Sequence, residues 1–284
     1  MRLLVTGAGG MLGQDVVRAA EAAGDEVFAL ARGDLDVTDE RAVAAAISDE
    51  HVDAVINCAA WTDVDGAESD PDGADAVNAL GAENVANAAA HVGARLVHVS
   101  TDYVFDGDRS PDEPAYVESD MPAPRSVYGA SKLAGEEAVA EVGGSYAIVR
   151  ASWLFGVGGR NFVATMLDLG AGRDEVTVVD DQIGCPTATA HLAPALVALA
   201  REPDAQGIFH VAGGGRCSWH ELAVETFRQA GVACRVLPCT TAEMSRPAPR
   251  PPFSALASER DDAPLLPPWQ EGLTTYLAQR GVHA

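Results

Sequence analysis

The chain has 284 residues, of which 48% are hydrophobic and 21% charged, and its formal net charge is −23. This length suggests one large domain or two, and the negative charge excludes nucleic acid as a partner because no basic surface can be assembled against phosphates. No apolar run approaches the roughly 18 residues that span a membrane. The first ten residues, "MRLLVTGAGG", lack the features of a signal peptide. We therefore expect a cytoplasmic protein with no membrane partner.

The basic and sulfur-containing residues give two further expectations. Lys132 is the only lysine, and the other basic residues are arginine. A strongly acidic, lysine-poor composition indicates adaptation to concentrated salt, where the repulsion between like charges is screened. A GC-rich genome is the alternative explanation.

The five cysteines are odd in number and form no C-x-x-C pair, which argues against a disulfide framework and a zinc site. We assign no metal.

Short apolar runs alternate with alanine-rich helical segments over the first 152 residues. The predicted strands are "LLVTG" (3–7), "EVFAL" (26–30), "AVINCAA" (54–60), "RLVHVST" (95–101) and "YAIVRAS" (146–152). Strands that alternate with helices indicate parallel βαβ units, and strands that are apolar throughout indicate a sheet covered on both faces. Residues 1–152 are therefore predicted to form a doubly wound parallel Rossmann domain of the α/β class.

The pattern changes after residue 152. Further strands are predicted at "EVTVVDD" (175–181) and "GIFHVAG" (207–213), with helices around 187–200 and 218–230 and a last amphipathic segment at 268–279. We interpret 153–284 mainly as a smaller substrate-binding lobe. The boundary near residue 152 is soft, in that later segments can add strands or helices to the Rossmann sheet. Ligands of such sheets bind at the carboxyl ends of the strands.

A glycine-rich turn follows the first strand. Gly7, Gly10 and Gly13 in "TGAGGMLG" have the spacing and position of a turn that brings backbone N–H groups to a dinucleotide pyrophosphate at a helix N-terminus. The acid that holds the ribose of NAD is expected at the end of the second strand. Arg32 stands there instead, and because arginine pairs with phosphate, it favours NADP over NAD.

Tyr128 and Lys132 lie four residues apart in "YGASKLAGEE" and so share one face of a predicted helix. A cation near a phenol favours the phenolate and lowers the pKa of the tyrosine, which makes it a better proton donor to a carbonyl oxygen. A compact ammonium also suits the hydroxyls of a nicotinamide ribose. Ser100 and Thr101 end the fourth predicted strand, where a hydroxyl can bind that oxygen as charge develops on it.

With these residues in place, the chain resembles the extended short-chain dehydrogenase/reductases and, among them, the family of dTDP-4-dehydrorhamnose reductases. The resemblance covers nearly the whole length and rests on these motifs: "GAGGMLG", "DLDVTD", "NCAAWTDVDGAE", "VNALGAENVA", "STDYVFDG", "YGASKLAGE", "VRASWLFG", "NFVATML", "DDQIGCPT" and "RPPFSAL". It implies reduction of a 4-keto-6-deoxyhexose nucleotide by NADPH, with NADH as the alternative reductant, in a monomer or homodimer.

The resemblance also implies the site residues. Its catalytic triplet is Thr101, Tyr128 and Lys132. With the turn and ribose residues above, the cofactor-binding set is Gly7, Gly10, Met11, Leu12, Gly13, Arg32, Asp36, Val37, Cys58, Ala59, Ala60, Thr62, Ser100, Tyr128 and Lys132. The substrate-binding set is Val64, Thr101, Asp102, Tyr103, Tyr128, Trp153, Asn161 and Arg250. Arg246 and Arg250 are the expected sources of positive charge for the substrate diphosphate.

Two other interpretations share these motifs. Another nucleotide-sugar reductase or epimerase of the extended family would carry the same triplet, although the substrate-lobe motifs favour the rhamnose branch. A non-catalytic NADP-binding protein, like the regulatory subunit of methionine adenosyltransferase, uses the same fold without turnover. The intact Thr–Tyr–Lys set weighs against this second interpretation.

Overall fold

The structure is a computed structural model that describes residues 1–282. Its strands, in chain order, are β1 (Arg2–Thr6), β2 (Glu26–Leu30), β3 (Ala54–Asn57), β4 (Arg95–Thr101), β5 (Tyr146–Ala151), β6 (Leu154–Phe155), β7 (Glu175–Val179), β8 (Ile183–Gly184), β9 (Thr187–Ala188), β10 (Gly207–His210), β11 (Cys217–Ser218) and β12 (Arg235–Cys239).

The helices, in the same order, are α1 (Met11–Ala22), α2 (Glu40–Asp49), α3 (Val64–Ser69), α4 (Pro71–Asp75), α5 (Gly81–Val92), α6 (Val127–Val142), α7 (Phe162–Gly170), α8 (Thr189–Ala200), α9 (Trp219–Ala230), α10 (Thr241–Met244) and α11 (Trp269–Gln279). A π-helical turn (Ala76–Leu80) joins α4 to α5, and a 3₁₀ turn (Asp102–Val104) follows β4. Within residues 1–282, no helix is both long and apolar enough to cross a membrane.

A six-stranded sheet forms the centre of the molecule. Its strand order is β2-β1-β3-β4-β5-β10, and every neighbouring pair is parallel. The predicted doubly wound Rossmann sheet is confirmed. The order reverses between β1 and β3, because the chain runs from β1 to one edge and then returns to β3 on the other side. Turns at this switch point meet at the carboxyl edge of the sheet, where ligands bind.

Both faces of this sheet are covered, which explains why its strands are apolar almost throughout. Alternate residues of one strand serve opposite faces. Leu3 and Val5 of β1 pack with residues of α1 and α8, whereas Leu4 packs with residues of α2, α5 and α6. The two clusters hold the carboxyl ends of the strands rigidly in place beneath the candidate site.

The sheet takes its edge strand β10 from beyond residue 152. Gly207–His210 pairs with β5, and α8 packs on α1. The remaining small sheets are β7 with β12, β8 with β11, and β6 with β9, which pack with α7, α9 and α11. Both β10 and α8 thus belong to the Rossmann sheet and its covering layer, although they follow residue 152.

Several strands are shorter than their predicted runs. The prediction of 54–60 is wrong after Asn57, and that of 207–213 is wrong after His210. The strand at 175–181 ends at Val179. Apolar composition continues past Asn57 because Cys58 and Ala59 pack against the two hydrophobic clusters that cover the sheet.

Candidate active site

The turns after β1 and β3 touch at the switch point. Gly7 has φ +64°, and a Cβ there would lie 2.6 Å from the backbone nitrogen of Ala59. Only glycine combines this conformation with so close an approach. The backbone N–H of Cys58 donates to the carbonyl of Thr6 at 3.2 Å. The predicted loop of Cys58, Ala59 and Ala60 therefore lies directly beside the glycine turn.

The N-terminus of α1 fits a dinucleotide pyrophosphate. Gly10 caps the helix without a side-chain hydrogen bond, and the first turn carries no acidic residue. The amides at the start of a helix have no partner within it, and the helix dipole favours an anion at this end. Met11, Leu12 and Gly13, which were expected to bind cofactor, provide these amides.

The ribose-binding region follows β2. Arg32 is exposed, whereas the Asp36 carboxylate accepts hydrogen bonds from the amide and hydroxyl of Thr38 at 3.0 and 2.8 Å. These bonds lower the pKa of Asp36. Val37 is buried against α5 at Gly81. The Arg32 guanidinium is therefore available to bind an anion. The Asp36 carboxylate instead stabilises the turn that contains Thr38.

Tyr128 stands in the first turn of α6, beside Thr101 at the end of β4. Burial raises the pKa of Tyr128 to about 12, a hydrogen bond with Thr101 acts to lower it, and the charge of Asp102 acts to raise it. The Tyr103 ring meets the Tyr128 ring edge-on, with centroids 5.5 Å apart. The phenol is therefore held protonated beside a hydroxyl, which is the arrangement needed to donate a proton to a bound oxygen.

Lys132 lies one turn further along α6 and is 2% exposed. Its Nζ donates to the carbonyl of Val99 at 2.7 Å and lies 3.4 Å from Nε2 of His98. Burial, and not the charge of Lys132, dominates the pKa of Tyr128, and the ammonium is directed to β4.

Two caps fix the start of α6. The Ser126 hydroxyl accepts from the amide of Gly129 at 3.0 Å, and a Glu68 carboxylate oxygen accepts from the amide of Val127 at 2.9 Å. Asn78, in the π-helical turn, accepts from the amide of Trp61 and donates to the hydroxyl of Ser131. These bonds tie α6 to α3 and to the loop that follows β3.

Two residues predicted to bind ligands have their polar groups bound within the protein. The Ser100 hydroxyl donates to Glu136, which forms a buried ion pair with Arg150 at 2.6 Å. The Asp102 carboxylate accepts from the hydroxyls of Ser254 (2.5 Å), Ser152 (3.0 Å) and Thr101 (3.1 Å).

Burial raises the pKa of Asp102 to about 6, against the effect of these three hydrogen bonds. Through them Asp102 joins β4 to the second lobe. Its carboxylate is therefore bound by hydroxyls at the ends of β4 and β5 and by the hydroxyl of Ser254, which lies far along the chain.

Trp153 follows β5 with the unusual φ of +48°. Its ring stacks on that of Trp219, with centroids 3.5 Å apart and planes inclined by 4°. Trp219 in turn donates from Nε1 to Gln182 at 3.1 Å and contacts Phe162. A strained backbone persists only where its surroundings determine it, so this stack fixes Trp153 as a rigid, partly exposed wall.

Arg250 and Asn161 are already engaged by protein groups. Both terminal nitrogens of Arg250 donate to the Asp65 carboxylate, at 3.0 and 2.9 Å, and Arg246 lies 3.6 Å from it. The hydrogen bond from Arg250 is the largest cause of the lowered pKa of Asp65. Asn161 caps α7 and donates to the carbonyls of Gly156 and Gly159. Val64 is partly buried beside Asp65, and Thr62 is exposed.

The sequence reasoning missed Glu68, Asn78, Trp219 and the buried His98. Three of them stand in quoted motifs, "DVDGAE", "VNALG" and "RLVHVST", but their partners lie far away along the chain. Within residues 1–282, no group of three or more His, Cys, Asp or Glu side chains is placed to hold a metal ion.

Comparison with known proteins places this site in a family. The model of the RmlD substrate binding domain matches residues 1–281. The chain belongs to this family. A curated relative, the dTDP-4-dehydrorhamnose reductase of Mycobacterium tuberculosis (strain CDC 1551 / Oshkosh), is 47% identical over 283 residues, which cover 98% of this chain and 92% of the relative.

Two solved structures are closely similar. A dTDP-4-dehydrorhamnose reductase from Clostridium acetobutylicum has a TM-score of 0.94 and 41% identity, covering 99% of this chain and all of the other. The enzyme from Bacillus anthracis, solved in complex with NADP, has a TM-score of 0.94 and 40% identity, covering 98% and 99%. The predicted class, an oxidoreductase of the dTDP-4-dehydrorhamnose reductase type, is confirmed at the level of the family.

Proposed function

We propose that the chain reduces dTDP-4-dehydro-L-rhamnose to dTDP-L-rhamnose with NADPH. The observation that carries this proposal is that Tyr128 and Lys132 of α6 meet Thr101 and Val99 of β4, in the same parallel sheet whose β1–α1 turn presents free backbone amides. The M. tuberculosis relative, 47% identical over nearly the whole chain, bears the name of this activity.

The residues present fit a nicotinamide dinucleotide. The amides of Met11, Leu12 and Gly13 would hold its pyrophosphate, and the ammonium of Lys132 would bind its ribose hydroxyls. Arg32 would pair with a 2′-phosphate, which makes NADPH the preferred form and agrees with the NADP bound to the B. anthracis enzyme. When bound, NADPH supplies the hydride that reduces C4 of the sugar.

The chain itself positions the keto group and supplies the proton. Thr101 turns its hydroxyl proton from Asp102 to the oxygen on C4 and donates a hydrogen bond to it as negative charge develops there. Tyr128 gives its phenolic proton to that oxygen, and its raised pKa keeps the proton in place until then. Trp153 forms the wall against the deoxyhexose, and Val64 and Tyr103 complete its surroundings.

The substrate diphosphate requires positive charge on a protein whose net charge is −23. Arg250 and Arg246 provide it, gathered around Asp65. Because Asp65 already binds both, we expect the phosphates to contact guanidinium N–H groups directed away from this carboxylate.

The test is a reductase assay with purified protein, NADPH and dTDP-4-dehydro-L-rhamnose generated in situ. Absorbance of the reduced nicotinamide should fall only when protein and sugar are both present. Tyr128→Phe should lower kcat by about 10²–10⁴-fold, the usual contribution of a positioned proton donor, while leaving NADPH binding intact.

Tyr146→Phe is the matched control, because Tyr146 begins β5 at the amino edge of the sheet, away from the site. It should keep the full rate. Bound NADPH without turnover in the wild-type protein would favour a non-catalytic binding protein, and turnover of a different keto-sugar alone would favour another branch of the family.

A further inference from the structure

A chain of buried polar side chains runs behind Lys132. It consists of Thr6 at the end of β1, Asn57 at the end of β3 and His98 in β4, which are 1%, 2% and 1% exposed. The Thr6 hydroxyl donates to Oδ1 of Asn57 at 2.6 Å, Nδ2 of Asn57 lies 3.1 Å from Nδ1 of His98, and Nε2 of His98 lies 3.4 Å from Nζ of Lys132. The reaction described above assigns no role to these three residues.

The orientation of the Asn57 amide is determined by a backbone group. The N–H of Ala59 lies 3.2 Å from Oδ1 of Asn57, and a backbone N–H can only donate. The Asn57 oxygen must therefore face Ala59 and Thr6, which leaves its NH₂ group to donate to Nδ1 of His98.

This orientation determines the tautomer of His98. Burial and the charge of Lys132 hold the pKa of His98 well below its usual value, so the ring is neutral and carries one proton. Because Nδ1 accepts from Asn57, that proton is on Nε2, the nitrogen nearest Lys132.

We propose that His98 is a positioning residue for Lys132, held by Asn57 and Thr6 in the tautomer that presents an N–H to the lysine and offers it no acceptor. One lysine N–H goes to the carbonyl of Val99 at 2.7 Å. The imidazole accepts none of the other lysine N–H groups, so they stay available to the hydroxyls of a bound ligand. This role in catalysis rests on the proposed function.

The groups around Lys132 give the arrangement a measurable consequence. Burial is the main cause of the lowering of the pKa of Lys132 to about 8, while Glu136 and Cys58 act to raise it. Glu136 is paired with Arg150, and burial raises the pKa of the Cys58 thiol to about 12. An N–H dipole directed at an ammonium disfavours the charged form, so His98 acts in the same direction as burial.

Lys132 is the only lysine, so protein labelled with ¹³Cε-lysine has a single resonance to follow. In protein without added cofactor, this resonance should titrate with a midpoint near pH 8. His98→Leu removes the N–H and should raise the midpoint by about one unit or more, towards the ordinary value of about 10.4. Val97→Ala, which opens the core on the opposite face of the same strand, should leave it unchanged.

A second measurement reads the tautomer directly. In ¹⁵N-histidine-labelled protein, the His98 signals, identified by their loss in His98→Leu, should show the proton on Nε2. Asn57→Asp keeps acceptors for Ala59 and Thr6 but turns the donor facing Nδ1 into an acceptor. It should move the proton to Nδ1 and raise the Lys132 midpoint.

Three results would overturn the inference: a wild-type proton on Nδ1, an unchanged midpoint in folded His98→Leu, or an equal shift in Val97→Ala. If His98→Leu does not fold, Asn57→Asp decides the question, and an unmoved proton there rejects it. These readouts do not depend on turnover, so failure of the reductase assay would leave them standing and would count against the proposed function alone.

Discussion

Tyr128 and Asp102 are two neighbouring acids that burial keeps protonated to higher pH than in water. Their pKa values are raised to about 12 and about 6. For Tyr128 the raised pKa keeps the phenolic proton in place. The Asp102 carboxylate accepts hydrogen bonds from the hydroxyls of Thr101, Ser152 and Ser254. Its raised pKa makes this connection between β4 and the later part of the chain depend on pH.

We expect Asp102→Asn to remove a pH dependence of stability. A raised pKa means that the folded state binds the proton more tightly, so the stabilisation is fully present below pH 3.8 and is lost as pH rises through about 6. Between pH 3.8 and pH 6, the free energy of unfolding measured with urea should fall by about 3 kcal/mol more in the wild-type protein than in the variant.

Asp262→Asn is the matched control, because Arg260 lowers the pKa of Asp262. The ion pair of Asp262 with Arg260 contributes stability that is present above pH 3.8 and is lost as pH falls, so its pH dependence has the opposite sign. A wild-type protein and an Asp102→Asn variant with parallel pH profiles would reject the assignment.

Arg32 is expected to select NADPH. Arg32→Ala should raise the KM for NADPH about tenfold or more and leave the KM for NADH unchanged, because a charge-assisted bond to the 2′-phosphate contributes about 1.5–3 kcal/mol. Steady-state rates with both cofactors measure this. Arg173→Ala, an exposed arginine of the second lobe, controls for the loss of charge; an equal change with NADH would contradict the role.

At the scale of elements, α6, which carries Tyr128 and Lys132, packs closely on the π-helical turn. A Cβ on Gly135 would lie 2.1 Å from the carbonyl oxygen of Asn78. The extra residue of a π turn displaces its carbonyl from the usual helical position. Glycine at position 135 of α6 therefore allows the two segments to approach each other this closely.

Gly135→Ala should therefore be strongly destabilising although alanine is the better helix former. We expect a loss of about 1–3 kcal/mol in unfolding free energy from overpacking, measured by urea denaturation, with a lower kcat in the remaining folded protein. Gly172→Ala meets nothing within 4 Å and should change stability little. Equal effects of the two substitutions would contradict this packing argument.

The elements that the sequence predicted best are those with local signals. The bounds of β2 and β4 match the predicted runs 26–30 and 95–101 because both run from a polar boundary to a change in chain direction. The π-helical turn has no such signal, since it reflects contact between Asn78 and α6.

The same distinction holds in the site. Tyr128 and Lys132 could be predicted from their spacing on one helix. The pairing of Arg250 with Asp65 joins residues 185 positions apart, and the orientation of Lys132 towards β4 depends on where Val99 and His98 lie. Such contacts are set by tertiary packing and could not be found from one sequence.

At the scale of the whole molecule, the net charge of −23 should make stability depend on salt. Self-repulsion of like charges disfavours the compact state, and it is screened as the Debye length falls to about 10 Å at 0.1 M and about 3 Å at 1 M. We expect the Tm to rise by several degrees as KCl increases over this range.

Sucrose at equal osmolality is the control, because it favours burial without screening charge. A Tm that sucrose raises as much as KCl does, or that falls with KCl over this range, would contradict an electrostatic origin.

In the proposed reaction, hydride passes to C4 of a keto-sugar nucleotide in the site formed by Thr101, Tyr128 and Lys132. The most direct measurement uses NADPH deuterated at C4 of the nicotinamide, with each of the two hydrogens labelled in turn, and dTDP-4-dehydro-L-rhamnose. With one of the two labelled forms, mass spectrometry should find one deuterium in the sugar, and NMR should place it at C4. Unlabelled product from both forms, or deuterium at another carbon, would contradict the account.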